Sequence, residues 1–240
     1  MKSLKKAIGA VSAFFLAVSV FAEETSVEDT YYSTVEDVVI TELANSDERD
    51  NKLVALQYLE NAVEEGRVTP DMMVALDHLA GEGINTQSRQ GGRLMNNYPD
   101  IRAKACDLLA KVPTEESKTT LKNIALADNE PMVITAAVRS LGEIGMNVND
   151  DVVNTIAWAN KKNAVLNPTS SLALEVLVAY EKIADSVEDK SAMIQSVGQI
   201  ATNYKYVKPV RDRALKLLKA LQSGGGSGSG KNDNKGKDAR

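Results

Sequence analysis

A helical pattern that returns five times limits this chain more than any other feature. An Ala followed four residues later by a Leu occurs at Ala55 and Leu59, Ala105 and Leu109, Ala137 and Leu141, Ala173 and Leu177, and Ala214 and Leu218. The five alanines are separated by 50, 32, 36 and 41 residues. Residues four apart share one face of an α-helix. The Ala lets a neighbouring helix approach closely, and the Leu fills the space beyond it. A single such helix cannot bury its apolar face alone, so a series of them predicts units that complete one another's core.

Each anchored helix is preceded by a breaker and a second amphipathic segment. These are "TVEDVVITELA", "PDMMVALDHLA", "EESKTTLKNIALA", "DDVVNTIAWANKK" and "KSAMIQSVGQIATNY". Apolar residues recur in all of them at spacings of three and four. Pro99, Pro131, Pro168 and Pro209 mark starts of the second helices, where a missing N–H costs nothing. Asp, Asn and Ser clusters mark further starts, and Gly142 with Gly145 marks a stop. No run alternates as a strand should. The expected fold is all-α, a solenoid of about five stacked helix pairs.

The segment "DNEPMVITAAVRSLGEIG" resembles the second helix of a HEAT repeat, in which Asp and Pro precede Val-Arg, paired Ala, Leu-Gly and Ile-Gly. "YPDIRAKACDLLAKV" and "KPVRDRALKLLKAL" carry the same Pro–aliphatic–Arg–Ala order. The family's Arg stands here as Arg102 and Arg211, is Lys52 in the first unit, and is replaced by Ile134 and Ser170 in the third and fourth. The resemblance spans roughly residues 34 to 222. It implies a HEAT-like α-solenoid, and it implies that Arg102 and Arg211 serve stacking, each pairing with an Asp or a carbonyl of an adjacent unit. The row two residues after each anchor Ala, namely Gln57, Asp107, Arg139, Glu175 and Lys216, is expected on the exposed inner face. Its mixed charge suits a protein-binding groove, and equally any solvated face.

The ends of the chain differ from this body. Lys2, Lys5 and Lys6 precede an uncharged run from Ala7 to Ala22, with Val20 and Ala22 at small-residue positions before Glu23 and Glu24. Residues 1–22 are therefore expected to be a secretory signal peptide, directing an exported, most simply periplasmic, product. The run is short for a membrane span. Residues 223–240 are Gly/Ser-rich, then polar and charged, and are expected to form a flexible tail that leaves 23–222 as the folded domain. The whole chain has a formal net charge of −5. Removing the three leader lysines takes it to −8, and setting the tail aside leaves a body near −10. An acidic body argues against nucleic acid and against anionic lipid as partners.

Residues able to carry chemistry are scarce. Cys106 is the only Cys, so no internal disulfide can form, and its place among core positions predicts a buried, inert thiol. His78 is the only His. No zinc set, nucleophilic triad or phosphate loop can be assembled, so no metal or cofactor is expected and the chain is not expected to be an enzyme. Trp158, the only Trp, is expected to pack between helices.

One break interrupts the repeat. Residues 81–100, "GEGINTQSRQGGRLMNNYPD", show no helical period and read as a long loop, of a length that is usually functional or disordered. Arg89, Arg93 and Tyr98 in it are candidate partner contacts, since Arg and Tyr anchor interfaces. The alternative is a degenerate turn that packs on its own unit. The expected function is a non-enzymatic scaffold of the cell envelope that presents a curved helical surface to a protein or peptide. A bilin-lyase-like enzyme, suggested by HEAT-like relatives, and a structural part of an envelope assembly are the alternatives.

Overall fold

The computed structural model describes residues 27–224, so the expected leader and most of the expected tail lie outside the described residues. Ten α-helices occupy this span: α1 (Val27–Asn45), α2 (Arg49–Glu64), α3 (Pro70–Ala80), α4 (Pro99–Ala110), α5 (Glu115–Ala127), α6 (Pro131–Ile144), α7 (Asp151–Leu166), α8 (Ser170–Ile183), α9 (Ser191–Thr202) and α10 (Lys208–Gly224). Between α3 and α4, β1 (Arg89–Gln90) and β2 (Arg93–Leu94) form a two-stranded antiparallel hairpin, with Gln90 opposite Arg93. Among the described residues, this hairpin and a nearby bridge between Glu82 and Thr86 are the only extended pairings, in a segment with no helical period. α1 begins seven residues before the first expected segment, and α10 runs past residue 222 into the expected tail.

Packing follows one rule. Each helix contacts the next, and each contacts the next but one. Among the described residues no helix reaches a third neighbour. The odd-numbered helices thus form one series and the even-numbered helices another, with a continuous core between them. The five anchor alanines, all in even-numbered helices, are buried. Leu59, Leu109, Leu141 and Leu177 are buried with them, and Leu218 is half-buried.

Local signals set the helix ends. Thr69, Thr114 and Thr169 cap α3, α5 and α8, each accepting a hydrogen bond from the backbone N–H three residues on. Such caps satisfy a first-turn donor that has no helical acceptor. Pro99 and Pro131 open α4 and α6, and Pro209 lies in the first turn of α10. Pro168 instead precedes the Thr169 cap, because α8 starts only at Ser170.

Gly142 corrects another expectation. It does not stop its helix. Gly145, with φ +67°, takes the left-handed turn that ends α6. Gly142 lies one turn earlier, where a Cβ would come within 2.6 Å of Ala179 Cα in α8. Its role is close helix approach, which only the neighbouring helix reveals. Ala is the better helix former by about 1 kcal/mol. Gly142→Ala is nevertheless expected to destabilise by about 1–3 kcal/mol through overpacking. A urea midpoint that rises in this variant would refute the assignment.

Candidate functional site

The small residues of the even-numbered series open a groove. Two residues before the anchor Ala, α4, α6 and α8 carry Ala103, Thr135 and Ser171, and α6 adds Ala136. Short side chains at the same register in three successive helices leave a surface groove of about 550 Å³. Met132, 52% exposed, stands at one side in the first turn of α6. Asp107 and Arg139 stand at the other. The volume falls in the range of ligand sites, about 300–1,000 Å³, but the groove is open along its length.

Its charges are held in place by one another. Arg139 Nη2 donates to Asp107 Oδ1 at 2.6 Å, and Nη1 lies 3.7 Å from Glu175 Oε1. Partial burial opposes the charge of Arg139, but the Asp107 bond and the carboxylates of Glu175 and Glu143 outweigh it and raise its pKa. Asp107, Arg139 and Glu175 are the middle of the row expected on the exposed face. They are half-buried and spent largely on each other across α4, α6 and α8. Gln57 and Lys216, at the two ends of the row, are exposed. Lys216 borders a second depression of about 670 Å³ between α8 and α10, beside the Glu181–Arg213 ion pair. Further pairs, Glu60 with Lys104 and Glu143 with Lys182, join successive even-numbered helices in the same way.

The irregular segment between α3 and α4 has two parts. Its base is built into the core. Glu82 is buried and accepts from Lys52 Nζ at 2.8 Å and Asn96 Nδ2 at 2.7 Å, with His78 Nε2 3.2 Å away. Lys52, 2% exposed, also donates to the carbonyl of Ala44. Burial alone would raise the Glu82 carboxyl, but the bonds from His78, Lys52 and Asn96 prevail and lower it to about 2. Tyr98 belongs to this base, half-buried at the start of α4, with its hydroxyl donating to the Asp47 carbonyl at 3.4 Å. The hairpin tip is different. Arg89 and Arg93 are exposed there, with Arg89 bonded to Gln87 and to the carbonyl of Gly92. Gln87, Leu94 and Asn97 face Asp128 to Glu130 across a cleft of about 210 Å³, so the segment leans on the turn between α5 and α6.

Arg102 extends the buried network. Its Nε donates to Asp128 Oδ2 at 2.7 Å and its Nη1 to the Glu82 carbonyl at 3.1 Å. Lys162 in turn donates to the Asp128 carbonyl at 3.0 Å. Arg211 occupies the equivalent register in α10, but its buried Nε has no hydrogen-bond partner among the described residues.

Cys106 is buried and free, and burial pushes its thiol well above the usual range. Trp158 does not pack between helices. It is 50% exposed on α7, with Lys162 Nζ 5.5 Å from its ring centre. It lines a cleft of about 190 Å³ between α7 and α9, beside Ala192 and Gln195, and is left half open there. Among the described residues no group of three or more His, Cys, Asp or Glu is arranged to hold a metal, and no helix is long and apolar enough to cross a membrane. The groove floor and the Lys52–Glu82–Asn96 base escaped the sequence-based expectations. The floor had a signal, the small residue two before the anchors of α4, α6 and α8. Glu82 had only His78 four residues before it, because its other partners lie 30 residues before it and 14 after it. Comparison with protein-family models, with curated proteins and with solved structures finds no match.

Proposed function

We propose that this chain is a non-enzymatic, HEAT-like solenoid of about five helix pairs, exported by its leader, whose even-numbered face binds an extended segment of a protein partner in the cell envelope. The observation that supports it most is the groove over α4, α6 and α8. Its floor repeats small residues at one register, and its walls offer an apolar side chain, Met132, and fixed charges of both signs. An extended peptide presents the same mixture of apolar and charged side chains. The hairpin tip with Arg89 and Arg93 offers a second contact beside the turns that open the even-numbered helices.

Photo-cross-linking in the intact envelope tests this proposal. A photoreactive residue at Met132 should capture a defined protein that one at Val165, an exposed position on α7, does not. Ser171→Trp, which fills the floor, should abolish that capture and leave the melting temperature unchanged. Identical captures from both positions, or capture undisturbed by Ser171→Trp, would reject the groove. A small chromophore recovered with the protein would favour the enzymatic alternative instead.

A further inference from the structure

We infer that this protein binds a second copy of itself head to tail, the α9–α10 end of one copy docking on the α1–α2 end of the next. This inference does not depend on the groove. It starts from positions that the fold covers everywhere except at its ends. Three residues after the anchor Ala stand Leu108, Ser140, Val176 and Leu217, and all four are buried. They face the preceding even-numbered helix, as the bond from Ser140 Oγ to the Cys106 carbonyl shows. The same position in α2 is Tyr58, which is 42% exposed. Val54 beside it is exposed too, as are Tyr31, Val35 and Val38 along α1, a stripe at spacings of four and three on the side opposite the buried Ile40.

The other end is open in the complementary sense. One residue after the anchor, Leu56, Cys106 and Val138 are buried and Leu174 is half-buried against the core, whereas Leu215 in α10 is 45% exposed. Three residues before the anchor, Lys52 and Arg102 reach forward to carboxylates supplied by the following pair, Glu82 and Asp128. Arg211 holds the same register with no such acceptor among the described residues. In the turns between paired helices, Asp128 lies just after α5, and Glu82 follows α3 by two residues. The corresponding turn after α1 carries Asp47 and Glu48, both exposed.

Charge matches the geometry. α1 contains Glu28, Asp29 and Glu42, together with Glu36 and Asp37, which are held by Arg67 and Thr69, and no basic residue. α10 contains Lys208, Arg211, Lys216 and Lys219, together with Arg213, which is paired with Glu181, and a single acidic residue, Asp212. A second copy placed one step beyond α10 would cover Leu215 with Tyr58 and Val54, and would bring the Asp47–Glu48 turn to Arg211. Such a contact joins two different surfaces. It therefore leaves a free end on every open row of copies and does not close at the dimer.

Sedimentation velocity on the full chain tests this. Association is expected to rise without a fixed end-point as concentration increases, and to weaken with salt. Tyr58→Glu blocks one end, and Leu215→Glu, at an exposed position outside the core, blocks the other. Each is expected to weaken self-association by about tenfold or more, with melting unchanged. Mixed in equal amounts, the two variants retain one intact end each of opposite kind, and they are expected to form dimers and nothing larger. Arg211→Glu should act as Leu215→Glu does. A parent chain that stays monomeric at its highest soluble concentration would overturn the inference, whether or not other parts of the same chain cover the ends. So would a species that stops at a dimer, or association that both variants leave intact.

Discussion

Asp128→Ala is expected to cost about 3–5 kcal/mol of folding stability, the effect of stranding a buried charge. Arg102 is 2% exposed, and its guanidinium has one carboxylate, that of Asp128. Removing it leaves the charge with only the Glu82 carbonyl and the Asn97 side chain, and neither is ionised. The bond from the Glu130 N–H to Asp128 is lost as well. Arg102→Met combined with Asp128→Ala removes both charges and is expected to cost less than Asp128→Ala alone, because apolar replacement of a complete buried pair is often close to neutral. Urea unfolding of the three proteins measures this directly. A single-variant loss below about 1 kcal/mol, the scale of exposed pairs, would mean that the pair is solvated.

Glu82→Gln is expected to have an effect of the same order and to change how stability depends on pH. The Lys52 ammonium is buried, so loss of its carboxylate leaves it uncompensated, at about 3–5 kcal/mol. The folded Glu82 value, about 2, lies below the value near 4.3 of an unfolded Glu. The unfolded chain therefore binds its proton first as pH falls. The stability from this carboxylate is fully present above about pH 4.3 and is lost as pH falls toward 2. The variant should lose that portion of the acid dependence while other carboxylates keep theirs. Urea midpoints recorded from pH 5 downward compare the two proteins. Parallel curves, separated by a constant, would show that Glu82 titrates normally.

Both expectations concern residues that sequence reasoning treated unequally. Arg102 was legible as a stacking residue, because it stands three before an anchor Ala in a recurring motif. Lys52 stands at the same place and was visible only as a departure from the family pattern. The carboxylates that hold them, Asp128 and Glu82, are 26 and 30 residues away, in turns whose course no local pattern specifies. The charged row shows the same division. Its register on one helix face could be counted, but the spending of Asp107, Arg139 and Glu175 on one another depends on the spacing of three helices.

What was readable beforehand is what local physics enforces. A 3.6-residue apolar period, an Ala–Leu pair four apart and breakers between them specify where helices form and which side is apolar, since each signal acts within a turn or two of chain. The anchor alanines are buried in all five units for that reason. Packing supplied everything that depends on which neighbour covers a position. Gly142 reads as a stop in sequence and is a contact point with Ala179 in space. Trp158 reads as packed between helices and is half exposed because it lines an open cleft between α7 and α9. Tyr58 and Leu108 share one register, yet one is exposed and the other buried, because α2 precedes α4 in the even-numbered series and no described even-numbered helix precedes α2. Burial is a property of pairs of elements, and a single helix does not record its neighbour's distance.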